Sequence, residues 1–523
     1  MTRGRKCISR IAAFRRSTRA NVAMIVALSF IPIAVAAGGA LDMARAVLVR
    51  TQMAEALDGA GLAVGSTPGL TPAQMLALAQ QYFTANYKLE GSYGTPGPVQ
   101  VSTGLGATGG NTINVSDSVA MPTVMMKLAG ISFMNVNYTS QVTWGQTKLW
   151  ASLVLDNTGS MTQEDKTGLS KLSALKTAVT QMLTSLQAAA SNPGDVQVAL
   201  IPFSVAVNLG TSQVGQSWID WTDFDSAPPN STPSASVGPG SSCPYSTNTN
   251  GFGCTSGLPN GSSTVTTIPS SGTYAGYICP GAYTKVDTSG QLYRYYNGCY
   301  TSTATKSGCR SACSYTHAWV YNAESTWTGC IMDRTQSYDV SNTTPTGTAT
   351  DFPAVNRITS GTEADSCPAS PLMGLNYNWT ALAAEVNAMT AVGATDQPVG
   401  LAWGWQAQTQ GNPLNAPALP AGTSRVVIIV SDGLNTQDRW YGNGSDDSTS
   451  VDTREADVCT NMKAAGIIVY AVYVDLNGTQ GNSAPLQNCA SDASKYFDLT
   501  TSGEIITTLS QITTQITQVR VSL

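Results

Sequence analysis

Two strongly apolar runs, each ending at an aspartate, limit the fold of this chain more than any other feature. LWASLVLD covers residues 149–156, and RVVIIVSDG covers residues 425–433. Apolar runs of this length, bounded by polar loops, are typical of strands buried on both faces of a sheet. Helical patterns alternate with these strands, and this alternation predicts a mostly parallel sheet with helices on both faces. The predicted fold class is therefore α/β.

The other elements of this pattern lie on both sides of a long polar stretch. The predicted strands are 196–204, 467–475 and 495–500, and the predicted helices are 169–190, 378–392, 398–408, 453–465 and 503–519. The pattern breaks between residues 212 and 375, where Gly, Ser, Thr, Asn, Pro and Cys dominate. A structureless loop of that length is rare inside a compact domain. We therefore expect an inserted subdomain, and its tryptophans, such as Trp218 and Trp327, would form either a small core or an exposed recognition surface.

The cysteines favour disulfides and therefore an oxidising compartment. Cys7 stands apart in the basic N-terminal tail. The ten candidates for disulfide bonds are Cys243, Cys254, Cys279, Cys299, Cys309, Cys313, Cys330, Cys367, Cys459 and Cys489. A metal cluster is the weaker alternative, because the sequence has no CxxC pair and only one histidine. We expect Cys309 and Cys313 to bridge to other partners. Cys459 and Cys489 either tie the last helices together or are two buried thiols.

The N-terminal part of the chain has the pattern of a membrane anchor. Residues 1–19 are rich in Arg and Lys, and residues 20–41 carry no charge. An apolar span of roughly 20 residues can cross a bilayer as a helix, and the basic flank is expected to stay in the cytoplasm. The alternative is a cleaved signal peptide with Ala34-Val35-Ala36 at the cleavage site. Residues 42–148 predict two helices followed by β-rich segments, which together form a small α+β unit.

Composition excludes several functions. The formal net charge is −5, so a nucleic-acid partner is not expected. Charged residues make up 11% of the chain, against about a quarter in ordinary globular domains. His317 is the only histidine, which disfavours a His general base and most zinc sites. Ser160 has no suitable base in the sequence and is not expected to be a nucleophile. We therefore do not expect an enzyme or a small-molecule substrate.

The two strand-terminal aspartates, Asp156 and Asp432, suggest a cation site. Ligands of open α/β sheets bind outside the carboxyl ends of the strands, where both aspartates would lie. Thr158 and Ser160 add hydroxyl oxygens just after Asp156, and Gly159 would let the loop turn tightly. Carboxylate and hydroxyl oxygens suit Mg²⁺ and similar hard cations. The simpler alternative makes Asp156 a helix N-cap and Asp432-Gly433 an ordinary turn.

The segment DNTGS resembles the DxSxS loop of von Willebrand factor A domains, with Thr158 in place of the first serine. That resemblance implies a Rossmann-like A domain in two parts, residues 149–211 and 376–523, separated by the insertion at 212–375. It also implies a metal-ion-dependent adhesion site. Thr158 and Ser160 would bind the metal directly, Thr395 would coordinate it in one state, and Asp156 and Asp432 would supply charge. The implied ion is Mg²⁺, with Mn²⁺ and Ca²⁺ as alternatives, and an open position would accept a carboxylate from a partner.

The N-terminal part resembles the TadE/TadG-like start of Tad (Flp) pilus-assembly proteins. The shared features are the basic lead, the NVAM entry into the apolar span, the GALD exit from it and the LDGAGLAV end. Because Ala20 stands where a prepilin-type site would have glycine, we do not expect prepilin peptidase cleavage. The resemblance implies a single-pass protein of the bacterial inner membrane, with its C-terminal domains in the periplasm.

The function that follows from both resemblances is pilus assembly through metal-dependent contacts with pilin or other assembly components. The alternative is a surface or pilus-tip adhesin that binds a host or matrix ligand. A chelatase-type enzyme is disfavoured, because the chain has neither a P-loop nor a cytoplasmic domain.

Overall fold

The structure is a computed structural model that describes residues 18–67, 70–89, 91–105, 111–143, 148–190, 192–227, 232–244, 254–255, 264–279, 298–355, 366–478 and 481–517. The chain divides into two compact units at Gln146 and Thr147, and the second extends to Gln518. We call them the N-terminal unit and the C-terminal unit. The expected mixed α/β class is confirmed, because both units combine helices and sheets.

The N-terminal unit packs two helices against an antiparallel sheet. Its helices are α1 (Thr18–Gly65) and α2 (Pro72–Asn86), and its strands are β1 (Gln100–Leu105), β2 (Asn111–Pro122) and β3 (Phe133–Thr143), with β2 in the centre. Thr71 and Gln74 form a capping box that starts α2, with proline at the first helical position. Val49, Met53 and Leu57 from α1 belong to the core, together with apolar residues of β2.

Asp42 joins α1 to the turn between β2 and β3. Its side chain is fully buried and accepts hydrogen bonds of 2.9 Å from the backbone N–H groups of Val124, Met125 and Met126. Gly38 lies one helical turn earlier, and a Cβ there would come within 2.2 Å of the Met125 Cβ. Residues 38–42, GGALD, therefore combine close packing at Gly38 with a carboxylate at Asp42 that binds the turn.

Residues 20–41, predicted as a transmembrane helix, lie within the first half of α1. Several large apolar side chains in this half are exposed, namely Val22, Ile25, Val26, Leu28, Phe30 and Ile33. Among the residues that the structure describes, no helix has both the length and the apolar character needed to span a bilayer.

The C-terminal unit begins with the first predicted strand and helix. Its opening elements are β4 (Leu149–Asp156), α3 (Lys171–Ala189), β5 (Val196–Phe203) and the short β6 (Val207–Asn208). Every residue of β4 is buried, as expected for a strand covered on both faces. Ser170 caps α3 by accepting a hydrogen bond from the Ser173 N–H.

The insertion consists of short elements. They are β7 (Ile219–Asp220), α4 (Thr222–Asp225), β8 (Cys254–Thr255), β9 (Thr264–Val265), β10 (Tyr277–Ile278), β11 (Gly298–Ala304), β12 (Tyr315–Tyr321), β13 (Cys330–Ile331) and β14 (Phe352–Pro353).

The remaining elements return to the alternating pattern. They are β15 (Met373–Asn376), α5 (Trp379–Ala388), α6 (Gln397–Gln406), β16 (Ser424–Ser431), α7 (Thr449–Ala464), β17 (Ile468–Val474), α8 (Ala484–Cys489), β18 (Tyr496–Leu499) and α9 (Ser502–Thr517).

One large sheet organises the C-terminal unit, with strand order β13-β6-β5-β4-β16-β17-β18 and β15 paired with β5. The five strands from β5 to β18 run parallel, whereas β6, β13 and β15 pair antiparallel at the β5 edge. Alternate residues of β16 face opposite cores: Ile429 packs with Val399 of α6, and Ile428 packs with Leu175 of α3. Helices therefore cover both faces, and the carboxyl ends of β4 and β16 lie side by side.

Part of the insertion joins the main core. The indole rings of Trp218 and Trp327 are buried in the same cluster as Phe203 of β5 and Trp403 of α6. Trp319 instead packs edge-to-face on Tyr300 in a small separate cluster. Trp218 and Trp327 are thus buried against the sheet, which neither expectation described, whereas Trp319 belongs to a small core of the insertion, as the first expectation stated.

Disulfides are present, as the cysteine pattern predicted. The described bridges are Cys279–Cys299, Cys309–Cys313, Cys330–Cys367 and Cys459–Cys489, and Cys243 is also disulfide-bonded. The expectation that Cys309 and Cys313 bridge to other partners was wrong, because the turn between β11 and β12 brings them together. Cys459 and Cys489 join α7 to α8, which is the first of the two alternatives considered. Cys7 lies outside the described residues.

Candidate functional site at the carboxyl ends of β4 and β16

The first site loop begins where β4 ends. Asp156 is fully buried, and its Oδ1 accepts a hydrogen bond of 2.8 Å from the Thr158 N–H, which folds the loop back over the strand. The next turn, Gly159–Thr162, is a short 3₁₀ helix. This turn places the Thr158 Oγ1 and Ser160 Oγ atoms 3.0 Å apart.

Asp432 reaches this loop from the end of β16. The Ser160 hydroxyl donates to Asp432 Oδ1 at 2.8 Å. Lys171, the first residue of α3, places its Nζ 2.7 Å from Asp432 Oδ2 and 3.0 Å from Gln163 Oε1. Both ends of the Lys171–Asp432 ion pair are buried, with side-chain exposures of 1% and 0%. The ammonium group of Lys171 is therefore part of this site.

Ser431 ties the two strand ends together. It follows Val430, which aligns with Leu155 across the parallel pair β4 and β16, and its hydroxyl donates to Asp156 Oδ2 at 2.5 Å. Both oxygens of Asp156 are thus engaged by protein donors. Burial, and then the nearby Asp432 carboxylate, raise the pKa of Asp156 to about 7. Each carboxylate oxygen of Asp156 therefore already accepts a hydrogen bond from the protein.

Thr395 lies on a neighbouring loop that hydrogen-bonds to the first. The Gly159 N–H donates to the Gly393 carbonyl at 3.0 Å. The Thr395 N–H donates to Thr436 Oγ1 at 3.0 Å, and its carbonyl accepts from the Thr436 and Gln437 N–H groups. In the described part of the chain, no hydrogen bond joins the Thr395 hydroxyl to the other four predicted site residues. The structure thus brings Thr158, Ser160 and Asp432 into direct contact and places Thr395 on the adjacent loop.

The glycine required by backbone geometry is not the one that the sequence suggested. The φ angle of Gly159 is not positive, so this position in the loop does not need the left-handed backbone conformation that favours glycine. Gly393 has φ of 79°, and a Cβ there would lie 2.2 Å from the Ser366 carbonyl oxygen. Gly393 therefore allows the insertion, the first loop and the Thr395 loop to approach one another.

The oxygen spacing fits a small divalent cation. Mg²⁺ binds oxygen at about 2.0–2.1 Å in octahedral geometry, so neighbouring ligands are separated by about 2.9 Å. The Thr158–Ser160 and Ser160–Asp432 oxygen distances are 3.0 and 2.8 Å. These three oxygens would therefore occupy adjacent positions around such an ion.

The sequence did not indicate that Lys171 or Ser431 belongs to the site. A lysine at the start of a helix ordinarily indicates an exposed side chain, so nothing about Lys171 marked it as buried. One sequence feature could have placed Ser431 in the site, namely its position beside Asp432 at the end of an apolar strand.

Among the described residues, one group of three acidic, cysteine or histidine side chains has all its ligand atoms within 4.8 Å of one another. Its members are Glu455, Cys459 and Cys489. Because the two cysteines are disulfide-bonded, they cannot serve as thiolate ligands. This group is therefore a weaker candidate for a metal centre than the site formed by Thr158, Ser160 and Asp432, which we call the strand-end site.

Comparison with known proteins finds one family model that matches a short N-terminal segment, and several weak structural likenesses. The family model described as putative Flp pilus-assembly TadE/G-like matches residues 20–67, a short part of the chain. A search of the curated proteins finds no match. The N-terminal segment is therefore similar to Tad pilus proteins.

Several solved pilus proteins are similar to this chain at low TM-scores. The pilus adhesin SpaC from Lactobacillus rhamnosus GG is 12% identical with a TM-score of 0.31, over 80% of this chain and 34% of its own. The von Willebrand factor domain of the type V pili tip protein Mfa5 from Porphyromonas gingivalis is 7% identical with a TM-score of 0.30, over 72% and 98%. The adhesive tip pilin GBS104 from Streptococcus agalactiae is 11% identical with a TM-score of 0.32, over 80% and 68%. These scores are too low to establish a common fold, and this chain spans about a third of the length of SpaC.

Proposed function

We propose that this chain is a membrane-anchored pilus-assembly protein whose C-terminal unit is a von Willebrand factor A-like domain that binds a partner protein through a divalent cation. The observation that carries the proposal is the meeting of the Thr158, Ser160 and Asp432 side chains at the carboxyl ends of two adjacent parallel strands. Thr395 would complete the ligand set from its neighbouring loop, and Asp156 would contribute charge behind it. The role is binding rather than catalysis.

The charge balance of the site suits an acidic partner. Ionised Asp156 and Asp432 with the Lys171 ammonium leave one net negative charge, so bound Mg²⁺ leaves one net positive charge. A carboxylate from a partner would neutralise it while filling an open coordination position. The partner feature expected at the interface is therefore an Asp or Glu side chain, supplied by a pilin or another assembly component.

The membrane anchor and the periplasmic location rest on the N-terminal unit and the disulfides. The family match begins at residue 20, and the first half of α1 exposes large apolar side chains such as Leu28 and Phe30. Disulfides persist in oxidising compartments, which favours a periplasmic C-terminal unit. These features support a single-pass protein of the bacterial inner membrane.

The proposal is tested by affinity capture of the tagged full-length chain from its own cells, with Mg²⁺ or with EDTA. Pilin or assembly components should be retained with Mg²⁺ and lost with EDTA. Ser160→Ala should lose them as well, because it removes a metal ligand, whereas Ser173→Ala on the exposed side of α3 should keep them. Retention of the same proteins in EDTA and by Ser160→Ala would refute the proposal. Recovery of the chain from the outer cell surface would favour the alternative, a surface adhesin.

A further inference from the structure

A group of exposed apolar side chains lies on the segment that links β2 to β3 in the N-terminal unit. We call this segment, residues 123–133, the apolar turn; it includes the first residue of β3. Its large exposed side chains are Val124 (52%), Leu128 (76%), Ile131 (44%) and Phe133 (62%). Single exposed apolar residues are common on soluble proteins, whereas a contiguous group marks a surface that binds a partner or a membrane.

Hydrogen bonds hold the backbone of the apolar turn in a closed conformation. The Thr123 N–H donates to the Ser132 carbonyl at 3.1 Å, and the Ile131 N–H donates to the Met126 carbonyl at 3.1 Å. Between these bonds, Met126–Ala129 forms a short 3₁₀ helix. The apolar side chains therefore project from a folded turn, and their exposure is a property of its structure.

Contacts with α1 fix the apolar turn at the end of the uncharged part of that helix. Gly38 packs against Met125 with no room for a Cβ, and the Asp42 carboxylate accepts three backbone hydrogen bonds from the turn. With a helical rise of about 1.5 Å per residue, the uncharged residues 20–41 extend for about 33 Å. The hydrocarbon core of a bilayer is about 30 Å thick. In the membrane anchor proposed above, the apolar turn therefore lies where α1 leaves the hydrocarbon.

The charge of the apolar turn suits lipid headgroups. Lys127 is the only charged residue between Asp117 and Lys148, and its side chain is exposed. A lysine stem can lie along apolar surface while its ammonium group reaches the phosphates of the headgroups. Because this part of the sequence has no carboxylate, no acidic group loses its hydration when the neighbouring apolar side chains enter a membrane interface.

We propose that the apolar turn is a membrane-docking surface, which inserts Leu128, Ile131 and Phe133 into the headgroup interface of the bilayer that α1 enters. The occupant is phospholipid, because the turn is attached to the end of an α1 segment that itself exposes large apolar side chains such as Ile33 and Leu41. The inference rests on the membrane anchor of the proposed function and does not require a metal site.

Docking would give the N-terminal unit two attachments to the bilayer. A single helix leaves the domain that it carries free to tilt about the point where the helix emerges. The apolar turn lies beside this point and is bound to α1 through Asp42, so its insertion would oppose such tilting. The N-terminal unit would therefore hold one orientation relative to the membrane surface.

The test measures the depth of spin labels on the full-length chain in vesicles of phosphatidylethanolamine and phosphatidylglycerol. One cysteine at a time is introduced into a Cys7→Ser chain, which by itself gives the background signal. Leu28→Cys reports on the anchor and Phe133→Cys on the apolar turn. Thr139→Cys is the matched control, because Thr139 is also exposed and lies on the same face of β3, about 20 Å further along the strand. At each site, collisions of the label with O₂, which concentrates in lipid, are compared with collisions with a water-soluble nickel chelate.

The proposal predicts that O₂ collisions dominate at Leu28 and Phe133, and that chelate collisions dominate at Thr139. A lipid environment at Leu28 with an aqueous one at Phe133 would overturn the proposal and leave the anchor intact. An aqueous environment at Leu28 would refute the anchor, and the docking with it. Few collisions with either reagent at Phe133 would mean that protein, such as a second copy of the chain, covers the turn, and this result would also overturn the proposal.

A second variant tests whether the side chains of the turn cause the insertion. Leu128→Ser with Ile131→Ser changes two exposed residues and should move the label at Phe133→Cys from lipid into water. The label at Leu28→Cys should stay in lipid in the same double variant, because α1 is unchanged. An unaltered lipid environment at Phe133→Cys would show that the apolar turn does not drive its own insertion and would contradict the proposal.

Discussion

Replacing Lys171 with methionine tests the electrostatic design of the strand-end site. Lys171 Nζ lies 2.7 Å from Asp432 Oδ2, and both side chains are buried. At an effective dielectric constant of about 20, the attraction across this distance is about 6 kcal/mol. Methionine retains most of the packing volume of the lysine stem but removes the charge.

The expected loss of stability is smaller than the Coulomb energy, because Lys171 no longer has to be desolvated. Breaking a buried ion pair by removing one partner typically costs about 3–5 kcal/mol. We therefore expect Lys171→Met to lower the free energy of unfolding of the C-terminal unit by about 3–5 kcal/mol in EDTA. Mg²⁺ at 100 times its dissociation constant should restore about 2.7 kcal/mol, because the ion supplies the missing positive charge.

Denaturant unfolding followed by tryptophan fluorescence measures this loss, since the tryptophans from Trp150 onward lie in the C-terminal unit. Lys176→Met is the matched control: Lys176 lies on the same helix, and its Nζ contacts only the Asn387 carbonyl in the described residues. Equal stability of Lys171→Met and the wild type in EDTA would refute the reasoning. At the same Mg²⁺ concentration, a stabilisation by Mg²⁺ no larger in Lys171→Met than in the wild type would also contradict it, because removing the ammonium group should tighten Mg²⁺ binding.

Three further predictions concern the scaffold. Burial raises the pKa of Glu455 from 4.5 to about 8, so the stability that protonated Glu455 contributes is complete below pH 4.5 and is lost as the pH rises towards 8. The wild type should therefore lose up to roughly 4 kcal/mol of its free energy of unfolding between pH 5 and 8, and Glu455→Gln should not show this loss. The same dependence of the melting temperature on pH in both proteins would contradict this prediction. Replacing Cys459 and Cys489 with alanine opens a loop of 30 residues and should cost roughly 3–4 kcal/mol in denaturant unfolding, whereas an unchanged midpoint would mean that the bridge is dispensable. Asp42→Ala removes the acceptor of three backbone hydrogen bonds and should speed hydrogen exchange in the turn at Val124 at least tenfold, and unaltered exchange would show that the turn forms without it.

The strands and the aspartates that follow them could be predicted because they depend on residues that are close together in the sequence. An apolar run such as RVVIIVS is compatible with few structures other than a buried strand, and parallel strands end at the same edge of a sheet. Asp156 and Asp432 could therefore be placed near each other before any contact was known.

The ion pair and the role of the insertion could not be predicted, because they depend on long-range packing. The charge of Lys171 suggests solvent, and only the docking of α3 over the strand ends buries it against Asp432. Likewise, no periodic pattern indicates that β13 pairs with β6 or that Trp327 enters the main core. The insertion looked separate because its composition is polar, whereas its few large apolar side chains pack on the sheet.

The most direct test of the central claim is to count Mn²⁺ ions bound to the full-length chain by electron paramagnetic resonance. The account predicts one bound Mn²⁺ in the wild type, its displacement by Mg²⁺, and its loss in Ser160→Ala and Asp432→Asn. Ser173→Ala should bind as the wild type does. The same bound Mn²⁺ in Asp432→Asn, or none in the wild type, would contradict a metal site at the carboxyl ends of β4 and β16.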